Sequence, residues 1–93
     1  MQMIRYIYQR STHEPPWAIS YETEYVRSIR ALKVYATVYS DQIGNKRHTA
    51  YFEVMGKTPF AVAHMVQSFL EDHNVTFDEN DFNQVEWEFS RYF

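Results

Sequence analysis

Trp17-Ala18-Ile19-Ser20-Tyr21-Glu22-Thr23-Glu24-Tyr25-Val26-Arg27-Ser28-Ile29-Arg30 is the stretch whose reading decides the fold. Taken with a period of two, Trp17, Ile19, Tyr21, Thr23 and Tyr25 fall on one face, and their aromatic and β-branched character suits a strand. Taken with a period of 3.6, Tyr21, Tyr25, Ile29 and Leu32 align instead. Glu22 and Glu24 then stand early and Arg27 and Arg30 late, as the helix dipole favours. Nothing between Ile29 and Lys33 resembles a helix stop, and the strand reading is preferred.

On the C-terminal side a hairpin follows. Residues 31–40 alternate Leu32, Val34, Ala36 and Val38 against Lys33, Tyr35, Thr37 and Tyr39. Residues 48–55 alternate Ala50, Phe52 and Val54 against Tyr51, Glu53 and Met55. Asp41 to Lys46 joins them with the Gly44-Asn45 pair that a turn needs. One face is aliphatic and the other tyrosine-rich and partly wet, as an antiparallel sheet allows.

A helix is expected at about 58–73. Thr58 can cap it, and Pro59 occupies the first position, where its missing N–H is harmless. Val62, Met65, Val66, Phe69, Leu70 and His73 form one stripe, opposite His64, Gln67 and Glu71, while Phe60 lies off the stripe. Asn74-Val75 suits a left-handed C-terminal cap with a closing apolar contact. Phe52 and Phe69 are expected in the core beneath this helix.

Residues 3–10 read as a further strand, with Ile4, Tyr6 and Tyr8 on one face and Met3 and Ile7 on the other, a pattern that suits a central position. Residues 84–93 read as a strand, Val85, Trp87 and Phe89 against Glu86, Glu88 and Ser90. A helix there would align Phe82, Val85, Phe89 and Tyr92 but leave Trp87 exposed. The expected fold is therefore α+β, one domain over residues 1–93, an antiparallel sheet of four or five strands packed on one helix. Were residues 20–30 helical, the order would become βαββαβ, the ferredoxin-like arrangement.

Composition bounds the function. Ninety-three residues, 45% apolar and 23% charged, can build a core without a staple. No cysteine is present, which removes disulfides and thiolate chemistry and makes a cytoplasmic, reducing setting the expectation. Met1 to Arg10 carries Arg5 and Arg10 within its apolar stretch and no small-residue cleavage site, so it does not read as a signal peptide. No apolar run reaches membrane-spanning length.

No catalytic, cofactor or metal centre is expected. Ser40-Asp41 with His48 could meet across the hairpin, but these are also ordinary turn residues, and no nucleophile elbow surrounds the serine. His64 reads as solvated, His73 as a cap at the helix C-terminus, and His13-Glu14 as loop. The acids between Asp72 and Asp81 invite a calcium loop, yet no frame supplies its glycine and closing glutamate. Glu22/Glu24 and Glu86/Glu88 read as solvated same-face rows that deter edge pairing.

Charge is segregated. Residues 1–57 carry eight Lys/Arg against five acids, whereas residues 58–93 carry Arg91 against seven. Two binding surfaces follow. An acidic-aromatic one, Glu71, Asp72, Asp78, Glu79, Asp81, Phe82, Glu86, Trp87 and Glu88, would suit a basic, nucleic-acid-handling protein, since spaced carboxylates imitate phosphates. A small acidic domain of this kind is similar in size and charge to phage- or plasmid-encoded inhibitors such as anti-restriction and anti-CRISPR proteins. The expected function is accordingly a stoichiometric inhibitor or adaptor, monomeric or a homodimer through a strand edge. The alternative is a single-stranded nucleic-acid binder using Arg5, Tyr6, Tyr8, Arg10, Lys33, Tyr35, Tyr39, Lys46, Arg47 and Tyr51.

Overall fold

The structure is a computed structural model that describes residues 4–8, 17–40 and 49–93. Four strands form one antiparallel sheet in the order β1-β2-β3-β4: β1 Arg5–Tyr8, β2 Trp17–Val26, β3 Ala31–Ser40 and β4 Thr49–Gly56. Two helices follow, α1 Pro59–Asp72 and α2 Glu79–Ser90. The protein is thus α+β, with an antiparallel sheet packed on helix.

The deciding stretch is a strand followed by a turn. β2 pairs with β3 from Trp17↔Ser40 to Val26↔Ala31. Residues 27–30 then reverse the chain, with Ile29 N–H donating to Val26 C=O and Arg30 N–H to Arg27 C=O, both at 3.3 Å. Arg30 takes φ 52°, a left-handed conformation unusual for a residue with a Cβ. The ferredoxin-like order is therefore not adopted. The turn expected at 41–46 lies outside the described residues.

Alternation along the strands sends Ile7, Trp17, Ile19, Tyr21, Leu32, Val34, Ala36, Val38 and Phe52 into one layer, where the helices cover them. α1 forms as its sequence implies. The Thr58 hydroxyl accepts from the Ala61 N–H at 3.0 Å, with Pro59 at the first position. At its far end Asn74 adopts φ 61°, Asn74 N–H donates to Glu71 C=O (3.0 Å) and Val75 N–H to Leu70 C=O (2.9 Å). Those two bonds make a Schellman cap, closed by the buried Val75. His73 Nδ1 donates to the Phe69 carbonyl at 2.9 Å and ties off one more end group. Val62, Ala63, Val66 and Leu70 are buried and Phe69 meets Phe52 at 4.5 Å, while Met65 sits at the edge of the stripe. Phe60 is exposed, as its place off the stripe requires.

Two expectations are corrected. The C-terminal segment is a helix, not a strand, so the sheet packs on two helices. Asp78 caps it, its carboxylate accepting from the Asp81 N–H at 2.9 Å while Asp81 accepts from the Asp78 N–H at 3.0 Å, a reciprocal capping box. Asp81, Val85 and Phe89 form the buried stripe, with Phe82 and Tyr92 partly buried beside it. The helix leaves Trp87 61% exposed, its ring 5.9 Å from the Arg91 guanidinium. Glu86 and Glu88, two apart on a helix, diverge rather than forming a row. The second correction concerns β1, which is an edge strand rather than a central one among the described residues, because it pairs with β2 alone there, and its apolar residues on both faces reflect Ile7 in the core and Tyr6 and Tyr8 on an uncovered face.

α2 runs along β2. Trp17 stacks on Phe77 (5.8 Å) and donates from Nε1 to the Thr76 carbonyl (3.2 Å). Further along, Tyr21 meets Phe89 edge-on at 4.9 Å and Tyr25 meets Phe93 at 6.1 Å. The Tyr21 hydroxyl, inside the core, donates to Glu88 and lies 2.9 Å from the Tyr92 hydroxyl, and Arg91 Nη1 stands 3.4 Å from Glu88.

Candidate partner-binding surface

Because both helices lie on one side of the sheet, the other side carries no covering element among the described residues. The strand registers define what stands there. Tyr6 and Tyr8 on β1 face Ser20 and Ala18 on β2. Ser20, Glu22 and Glu24 face Thr37, Tyr35 and Lys33 on β3. Lys33, Tyr35, Thr37 and Tyr39 face Met55, Glu53, Tyr51 and Thr49 on β4. Five tyrosines therefore share one open face, and Tyr6, Tyr8, Tyr39 and Tyr51 are exposed on it.

The polar groups form a connected surface. Tyr35 Oη donates to Glu24 Oε1 at 3.2 Å, and Ser20 Oγ and Tyr39 Oη lie 3.4 Å apart. The Lys33 ammonium sits 5.5 Å from the centre of the Tyr35 ring. Its pKa is raised, first by hydrogen bonding to Tyr35 and then by the charges of Tyr35, Glu24 and Glu53. The Tyr51 hydroxyl is likewise held above its ordinary range, by desolvation and then by Glu53, with smaller contributions from Tyr35 and Glu22. Tyr6 and Tyr8 stack at 6.0 Å on the β1 side. Between the rings lies a concavity of about 340 Å³ bordered by Ile4, Ser20, Tyr21, Glu22, Tyr35, Thr37 and Tyr51.

The sequence-derived residues divide between the two layers. Of the basic-tyrosine set, Tyr6, Tyr8, Lys33, Tyr35, Tyr39 and Tyr51 are on the open face. Arg5 is paired with Tyr21 and alternates with Tyr6, so it belongs to the helix side. Arg10, Lys46 and Arg47 lie outside the described residues, as do Asp41 and His48; Ser40 is buried. Among the described residues, three carboxylates, Glu22, Glu24 and Glu53, stand among the tyrosines with Lys33 as the cation. Register exposes this: residues adjacent in sequence point to opposite faces, whereas cross-strand partners share one.

Of the acidic-aromatic set, Asp81 is buried in the capping box, Asp78 is the cap itself, and Glu88 is bonded to Tyr21. Phe82 packs edge-on against Phe60 at 5.3 Å. Glu71, Asp72, Glu79, Glu86 and Trp87 remain at the surface of the helical layer. No group of three or more metal-ligating side chains occurs among the described residues, and no described helix is long and apolar enough to cross a membrane. No protein-family model, curated protein or solved structure matches the chain.

Proposed function

We propose that the protein is a non-enzymatic binding module that engages a basic surface of a protein partner, as a stoichiometric inhibitor or adaptor, through the tyrosine–glutamate face of its sheet. The observation that carries this reading is the open face itself, where, among the described residues, four exposed tyrosines and three carboxylates stand together with one ammonium. Exposed tyrosines offer large, rigid contact area at low entropic cost, and carboxylates around them select and orient a cationic partner. A partner that handles nucleic acid would present such a surface. The outward acids and Trp87 of the helical layer are a secondary zone, because three of the acids expected there are engaged within the fold.

The test is capture of partners from lysate of the source cells at low and high salt. The bait is compared with the triple variant Glu22→Lys, Glu24→Lys, Glu53→Lys, checked for an unchanged melting temperature. Captured protein should be basic, should elute as salt rises, and should be lost with the triple variant. Capture undiminished by all three reversals would refute the reading.

A further inference from the structure

We infer that the concavity on the open face is a cup for an arginine side chain, presented by an extended basic segment of the protein partner. This rests on the function proposed above and names what the face recognises. Ser20 and Thr37, small and hydroxylated, face each other across β2 and β3 and form the floor. Tyr51 stands opposite Thr37, Tyr35 opposite Glu22, and Ile4 borders the β1 side. A side chain entering the cup meets tyrosine rings, two hydroxyls and one carboxylate. Its volume of about 340 Å³ suits a side chain better than a large cofactor.

Three observations select a cation. Among the described residues the face carries Glu22, Glu24 and Glu53 against Lys33. The Tyr35 ring already accepts an ammonium from its own chain, Lys33, at 5.5 Å. Lys33 interacts with Tyr35, Glu24 and Glu53, whereas Glu22, on the rim of the cup, has no hydrogen bond or ion pair among the described residues. Arginine fits better than lysine because its flat guanidinium stacks on rings and offers a fork to a carboxylate. A nucleic-acid strand would bring phosphates against three carboxylates.

The experiment titrates the full chain at low salt with four probes: a short acetylated Gly-Arg repeat peptide, its lysine and citrulline counterparts, and an oligothymidine strand. Citrulline keeps the shape of arginine and removes its charge. The arginine peptide should bind about tenfold or more tighter than the citrulline peptide, with lysine between them. Glu22→Gln and Tyr51→Ala should each weaken arginine binding by about tenfold at unchanged melting temperature. Equal binding of arginine and citrulline, tighter binding of oligothymidine, or full affinity in both variants would overturn the cup. Failure of the arginine peptide alongside loss of partner in the triple reversal overturns the cup and leaves the binding module standing. If partner capture also survives the reversal, both fall.

Discussion

Replacing Tyr21 by Phe removes a single oxygen from the point where α2 is fastened to the sheet. Tyr21 is 1% exposed, and its hydroxyl donates to Glu88 while lying 2.9 Å from the Tyr92 hydroxyl. Phe keeps the ring contact with Phe89 but leaves a carboxylate and a phenol without their shared partner. A hydrogen bond to a charged group contributes about 1.5–3 kcal/mol, and the Arg91 contact with Glu88 offsets part of its loss, so about 2 kcal/mol is expected. In a domain of this size that lowers the melting temperature by roughly 8–16 °C. The pH dependence carries a second signature. Burial, then the bonds to Glu88 and Tyr92, raise the Tyr21 pKa above its ordinary value of 10.0. The folded state therefore keeps this proton where the unfolded chain gives it up. The stabilisation is complete below the unfolded value and declines as pH rises past about 10, by about 1.4 kcal/mol per pH unit. Urea unfolding of both proteins from pH 7 to 11 isolates it, because the other tyrosines are common to the two. The wild type should lose about 1.4 kcal/mol of its advantage over Tyr21→Phe by pH 11. Stabilities equal within about 0.5 kcal/mol at pH 7, or a constant difference across the range, would refute the reasoning.

Other perturbations test the remaining joints. A Cβ at Gly56 would stand 3.0 Å from Val62 Cγ2 and 3.1 Å from Val62 N, so Gly56→Ala should destabilise by about 1–3 kcal/mol in denaturant unfolding. Thr58→Ala removes the cap of α1 and should cost about 1 kcal/mol by the same assay. Arg30→Gly relieves a left-handed backbone and should raise stability, by up to about 1 kcal/mol. Trp87→Ala should change stability by no more than about 0.5 kcal/mol. Iodide should quench Trp87 and spare the buried Trp17, whereas a strand with Trp87 inside would protect both.

The parts of the fold that were legible in sequence are those whose local signals agree. In β3 and β4 the aliphatic alternation is uninterrupted, and in α1 the stripe, Thr58, Pro59 and Asn74 all specify one helix with its two ends. Residues 79–90 carry conflicting signals. Val85, Trp87 and Phe89 alternate as a strand would, while Phe82, Val85, Phe89 and Tyr92 keep helical spacing. The capping box was hard to see because its third residue is Asp81 rather than Glu or Gln. Tertiary contacts that no local window contains, Tyr21 with Glu88 and Tyr92, reinforce the helix, and Trp87 is left outside as the consequence. The turn at 27–30 was obscure for a related reason, since Arg30 holds a conformation usually given to Gly or Asn. At the candidate surface, the tyrosines were legible because they share strand parity. The sign of the surrounding charge was not. Arg5 neighbours Tyr6 in sequence yet faces the other layer, and Glu22, Glu24 and Glu53 join the tyrosines only through register.

The most direct test of the central claim is an amide chemical-shift map of the whole chain as the Gly-Arg repeat peptide is added. A basic ligand docking on the open face should move Ser20, Glu22, Tyr35, Thr37 and Tyr51 together, and high salt should reverse the changes. Shifts confined to the outer side of α2 around Trp87, or none on the sheet at saturating peptide, would contradict it.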